Sequence, residues 1–167
     1  MTGRLFLALW PDAATCQALQ AWQAAISSPP ARLTPACDLH LTLHFLGALD
    51  EARLPDVLAA ADRPSPPISL TLSALDTWKQ GLRVAVAHEV PTALAALHAA
   101  IGTGLRARGL PVEARPYRPH VTLARRAGAA RAFATEPAPI AWTSVGHALA
   151  MRDGPHYRVL RRWPGGT

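Results

Sequence analysis

Hydrophobic and polar positions alternate in short blocks along this chain. Arg4-Leu5-Phe6-Leu7-Ala8-Leu9 is an apolar run stopped by Pro11, which predicts an opening strand. Asp12 can cap a helix through Leu19, Trp22 and Ile26, which the Ser27-Ser28-Pro29-Pro30 cluster ends. Leu39 to Leu46 reads as the next strand, and Asp50 caps a second helix through Leu54, Val57 and Leu58. Ile68 to Leu75 alternates well and predicts a strand, with Ile68, Leu70 and Leu72 set against Ser69, Thr71 and Ser73. The second half repeats this grammar. Leu82 to Ala87 is a strand, and Pro91 opens a helix through Leu94, Leu97, Ile101 and Leu105 that ends near Gly109. Val112 to Pro119 is extended, Val121 to Ala124 a short strand, and Ala127 to Pro139 a loop. Ile140 to Met151 and Tyr157 to Trp163 are the last strands, turned by Asp153-Gly154-Pro155.

The resulting order, β-α-β-α-β then β-α-β-β-β, predicts an α+β fold in one pseudo-duplicated domain over residues 1–167, with a cleft between two sheets. Each half carries one H-x-T strand, and His40 and His120 lie 80 residues apart. No apolar run approaches the ~18–20 residues that would span a bilayer, and Leu5–Trp10 is too short for a signal-peptide core. Cys16 and Cys37 form neither a metal nor a redox spacing, which suits a reducing cytoplasm. Sixteen of the 17 basic residues are arginine and the net charge is +6, a surplus that favours anionic partners.

His40-Leu41-Thr42-Leu43 and His120-Val121-Thr122-Leu123 carry the chemistry. On a strand, His and Thr point to one face and the intervening Leu or Val to the other, so the core grips the strand while the polar pair projects. With seven histidines in 167 residues, about half of one H-x-T arises by chance, and a matched pair is far rarer. Two histidines across a pocket suit acid–base catalysis near neutral pH. A cyclic phosphate needs that arrangement: a base for the entering oxygen and an acid for the leaving one. The threonine hydroxyls can hold the non-bridging oxygens. A metallohydrolase built on His40, His44 and His120 is disfavoured, because strand residues four apart stand ~13 Å from each other. A non-catalytic RNA clamp using the same motifs is the other rival.

Leu39-His40-Leu41-Thr42-Leu43 with Phe45-Leu46-Gly47, Tyr117-Arg118-Pro119-His120-Val121-Thr122-Leu123-Ala124-Arg125, and the ending Gly154-Pro155-His156-Tyr157-Arg158-Val159-Leu160 with Trp163-Pro164 resemble the two-histidine phosphoesterases. Within them, the likeness is to the bacterial and archaeal RNA 2′,3′-cyclic phosphodiesterases, also called 2′-5′ RNA ligases. The resemblance spans nearly the whole chain. It implies two pseudo-symmetric lobes of mainly antiparallel sheet flanked by helices, with both motifs lining the cleft between them. It further implies hydrolysis of RNA 2′,3′-cyclic ends, on tRNA-like fragments or oligonucleotides, to 2′-phosphates. His40 would be the proton donor and His120 the acceptor, with no metal or other cofactor and no need for a second subunit.

Three further residues are expected at substrate. Arg125 follows the second motif and can reach a phosphate. His44, standing where such proteins often carry Lys or Arg, is placed by strand alternation on the His40/Thr42 face. Trp78, in a loop before Gly81, can stack on a base. Arg115, Arg118 and Arg126 form a candidate basic rim, with Tyr117 a similar case to Trp78. His88, His98, His147 and His156 lack a partner motif and are read as structural or exposed, and Trp10, Trp22, Trp142 and Trp163 as packing residues.

Overall fold

The computed structural model describes residues 3–26, 32–126 and 137–165, apart from the Asp153 side chain. The Ser27–Pro30 cluster and most of the Ala127–Pro139 loop lie outside them. Strands are β1 (Arg4–Leu9), β2 (Arg32–Leu33), β3 (Leu41–Ala48), β4 (Ile68–Leu72), β5 (Ala74–Trp78), β6 (Leu82–Val86), β7 (His120–Arg125), β8 (Ile140–Ser144), β9 (His147–Asp153) and β10 (His156–Trp163). Helices are α1 (Ala13–Ala24), α2 (Leu54–Ala61) and α3 (Thr92–Ala107), and Ala36–Asp38 is a single 3₁₀ turn. Asp12 caps α1 as the sequence predicts, its Oδ1 accepting the Thr15 N–H at 2.7 Å.

The fold is α+β and mainly antiparallel. An eight-stranded sheet runs β10-β9-β1-β3-β7-β6-β5, with β2 beside β7, and β4 pairs with β8 in a second sheet. The lobes are therefore halves of one continuous sheet that meet at β3 and β7, where Leu41 pairs with Val121. They do not follow the sequence halves, because the C-terminal β9–β10 hairpin joins the lobe of β1 and β3. Leu5, Leu7 and Leu9 of β1 enter the main core with Leu41, Leu43, Val121, Leu123 and the apolar sides of all three helices. Phe6 and Ala8 lie on the other face with Ala150. One sheet face thus builds the core, and the other is left to carry the motifs.

Two predicted strands each prove to be two. The run Ile68 to Leu75 breaks at Ser73, whose N–H donates to Val86 O at 2.9 Å as the chain passes from the small sheet to the large one. The run Ile140 to Met151 breaks at Val145-Gly146, where the same transfer occurs. Gly146 has φ +78°, and a Cβ there would stand 2.1 Å from the Trp163 carbonyl oxygen, so only glycine fits. Both breaks fall within runs of short side chains, Ser73-Ala74 and Ser144-Val145-Gly146.

The motif strands share one irregularity. Ala8 pairs with Thr42 and Leu7 with His44, leaving Leu43 as an extra residue in β3. Val84 pairs with Thr122 and Arg83 with Ala124, leaving Leu123 as the extra residue in β7. Both are β-bulges at the fourth position of an H-x-T-L tetrad. A bulge frees backbone groups that need partners. The Leu123 carbonyl accepts from Thr34 N at 2.8 Å and from the buried Gln23 Nε2 at 2.8 Å.

Candidate active site

The β3–β7 seam brings the two motifs together. Extending the Leu41–Val121 pair by one residue in each direction sets His40 opposite Thr122 and Thr42 opposite His120. His40 stands one residue before β3, and His120 is the first residue of β7. All four side chains are partly exposed, between core neighbours that are fully buried.

The two imidazoles are anchored alike. His40 Nδ1 lies 2.6 Å from the Asp38 carbonyl oxygen, and His120 Nδ1 lies 2.7 Å from the Arg118 carbonyl oxygen. A carbonyl only accepts, so Nδ1 carries the proton in both rings and Nε2 is the nitrogen left for chemistry. Burial pushes His40 down to about 4, and nearby His120 and Arg125 lower it further, against the Asp38 carbonyl and carboxylate, which raise it. Burial likewise lowers His120, aided by Arg118 and Arg115, while its Arg118 carbonyl bond and Glu113 oppose the shift. Both rings are therefore neutral bases in the ligand-free protein, and an anion between them would favour protonation.

Aromatic side chains wall in each histidine. Phe6, Trp10 and Tyr157 stand 4.7, 5.3 and 5.1 Å from the His40 ring, centroid to centroid. Trp78 stands 4.3 Å from the His120 ring and carries the Arg118 guanidinium 4.7 Å above its own. Trp78 is thus not in a loop: it ends β5, and its indole N–H donates to Asp76 at 2.8 Å. Trp10, expected only to pack, therefore lines the site, as do Phe6 and Tyr157, which no motif marks. The signal for Phe6 and Trp10 is their even spacing along β1 and the residue just after it, opposite in face to Leu5, Leu7 and Leu9.

His44 does not share the face of His40 and Thr42, contrary to expectation. The bulge at Leu43 turns it toward the core beside Leu7, where it is 4% exposed. Its Nε2 meets the His98 carbonyl oxygen at 2.9 Å, and its ring stacks on His98, which stacks in turn on Tyr117. Tyr117 donates its hydroxyl to the Thr42 carbonyl at 3.1 Å and so braces the first motif from behind. Arg125 fares differently. The equivalent bulge in β7 precedes it, its side chain is exposed, and its charge acts on the His40 ring.

Asp38 does more than hold His40. Its buried carboxylate accepts the Tyr157 N–H at 3.0 Å and meets His156 Nδ1 at 3.1 Å, with the Cys37 thiol beside it. Cys37, Asp38 and His156 place a sulfur, an oxygen and a nitrogen within 4.8 Å of one another. No local spacing could have suggested this group, since His156 is 118 residues from Asp38.

Comparisons with known proteins agree with the fold. The sequence is 34% identical over 95 residues to the RNA 2′,3′-cyclic phosphodiesterase of Bacillus subtilis (strain 168), an alignment covering 53% of this chain and about half, 52%, of that relative. The fold matches E. coli LigT complexed with 3′-AMP at a TM-score of 0.84 and 25% identity over 100% of both chains. It matches TT0787 of Thermus thermophilus at 0.80 and 28% identity, over 98% of this chain and 100% of that one. The profile of the 2′-5′ RNA ligase superfamily matches residues 11–153. With a paired-histidine site on a LigT-like fold, this chain belongs to the 2′-5′ RNA ligase superfamily of two-histidine phosphoesterases.

Proposed function

We propose that this protein hydrolyses RNA 2′,3′-cyclic phosphodiester ends to 2′-phosphomonoesters by histidine acid–base catalysis without a metal ion. The observation that carries the reading is the matched pair of histidines across the β3–β7 seam, each with Nδ1 tied to a carbonyl. In the forward reaction His120 Nε2 takes a proton from water, whose oxygen attacks phosphorus. The bond from phosphorus to the 3′-oxygen breaks, and His40 Nε2 protonates that oxygen as it leaves. Thr42 and Thr122 donate to the non-bridging oxygens and stabilise the charge that develops there. Arg125 and the Trp78 ring extend the site toward the neighbouring phosphate and base.

Burial of His40 opposes its role as donor, and the phosphodiester anion compensates for this. The donor therefore gains its proton together with substrate. With an RNA 5′-hydroxyl in place of water as the attacking group, the same steps join two ends through a 2′-5′ bond and release the 3′-hydroxyl, and their reversal cleaves that bond. The name of the B. subtilis relative supports RNA cyclic ends over other cyclic phosphates, and the 3′-AMP complex of LigT supports a nucleotide at the site.

The test is incubation with a short RNA ending in a 2′,3′-cyclic phosphate, in excess EDTA, followed by product mapping. A 2′-phosphate supports the assignment. A 3′-phosphate reverses the choice of leaving oxygen, and with it the donor. Absence of product from any cyclic phosphate overturns the reading, and activity lost in EDTA and restored by zinc replaces it with a metallohydrolase.

A further inference from the structure

We propose that Cys37, Asp38 and His156 form a binding site for one divalent ion of the zinc class, outside the paired-histidine centre. The donors come from the 3₁₀ turn before β3 and from the first residue of β10. Cys37 Sγ lies 3.7 Å from His156 Nδ1 and 3.8 Å from Asp38 Oδ1, and His156 Nδ1 lies 3.1 Å from Asp38 Oδ2. A tetrahedral zinc ion, bound at ~2.3 Å to sulfur and ~2.0 Å to nitrogen and oxygen, spaces S and N or O by about 3.5 Å and N and O by about 3.3 Å. The His156 nitrogen stands near those spacings from both other residues, and all three donors lie within 4.8 Å of one another, so rotation of the exposed Cys37 and His156 side chains can close them around an ion.

The chemistry of the donors selects the metal. Thiolate and imidazole suit zinc and its neighbours, whereas magnesium and calcium require oxygen ligands. Asp38 is 3% exposed and is held from behind by the Tyr157 N–H on Oδ1, which leaves Oδ2 for an ion. Cys37 and His156 are exposed, so an ion can enter from solvent and keep water as a fourth ligand. A zinc-class ion binds thiolate rather than thiol, so binding must displace the Cys37 proton and weakens as pH falls. Bound there, the ion ties the segment that positions His40 to the strand that carries Tyr157. No step of the proposed hydrolysis passes through it.

The experiment is titration of the reduced full chain with zinc against a chromophoric chelator, with cobalt(II) as a spectroscopic substitute. One ion per chain is expected, with a thiolate-to-cobalt charge-transfer band and a thermal midpoint that rises in zinc. Cys37→Ser and His156→Ala should each weaken binding roughly a hundredfold, and Cys37→Ser should abolish the band. Both residues are exposed, so the variants should fold. His120→Ala should bind as tightly as the parent. Absence of binding, binding that survives both ligand variants, or binding lost in His120→Ala would overturn the proposal, the last by moving the ion to the paired histidines.

Discussion

Leu41 pairs with Val121 across the seam of the sheet, and this one contact decides which polar groups face each other. It sets each histidine opposite the threonine of the other motif. His40→Ala or His120→Ala should lower kcat on an RNA cyclic phosphate by about 10²–10⁴-fold while leaving RNA binding largely intact. The double variant should lose little more than either single one, because the two act in one step. Loss of affinity at unchanged turnover would instead mark a phosphate clamp.

The depressed histidines set the pH dependence. In free protein one ring must be protonated and one neutral, and both titrate below the ordinary value near 6.5. The profile of kcat/KM should therefore be a bell with both limbs below about pH 6.5. The kcat profile should lie at higher pH, since bound phosphodiester favours the imidazolium. Steady-state kinetics from pH 4 to 9 checks this, and a flat profile excludes the acid–base roles.

Trp78 covers the His120 ring, and burial is the main reason His120 is hard to protonate. Trp78→Ala should admit water and raise the His120 pKa toward 6.5, read by NMR titration of that ring. It should also raise KM for oligonucleotides by roughly tenfold if a base stacks on the indole. A raised KM with unchanged titration would separate stacking from shielding.

His44 and Arg125 should part company on mutation. His44→Ala opens a gap beside His98 and loses a partly buried hydrogen bond, so it should cost about 1–2 kcal/mol in urea unfolding with KM unchanged. Arg125→Ala should leave stability alone, raise KM, and let the His40 pKa rise, because the guanidinium helps hold it down.

His40 and His98 both stand at about 4, in each case chiefly through burial. The unfolded chain binds protons at these positions near pH 6.5 and the folded chain only near 4, so stability is complete above about 6.5 and lost as pH falls toward 4. From pH 7 to 5 the loss should be roughly 2 kcal/mol, after halving the two-group sum for the solvent access each ring keeps. Equal urea midpoints at the two pH values would refute it.

Much of this was legible in the chain. The H-x-T tetrads announce themselves because strand alternation is a local rule, and Asp12 and Pro91 mark helix starts by equally local chemistry. What escaped was non-local. His44 was misplaced because a bulge depends on the register of the partner strand, with Leu7 as the true neighbour. Trp78 was read as a loop residue because β5 exists only as a partner for β6. The Asp38–His156 contact joins segments that nothing in either one predicts.

The twin bulges make the H-x-T tetrad a unit with a reading frame. Its first three residues need the ordinary two-residue phase, and its fourth resets that phase, so the chain enters the tetrad on one face and leaves it on the other. A tetrad grafted onto a regular strand would keep its histidine and threonine but send the side chains that directly follow, His44 and Phe45 in the first copy and Ala124 and Arg125 in the second, to the wrong side. The minimal portable element is therefore a motif strand together with the neighbour that imposes the slip: β1 for the first copy and β6 for the second.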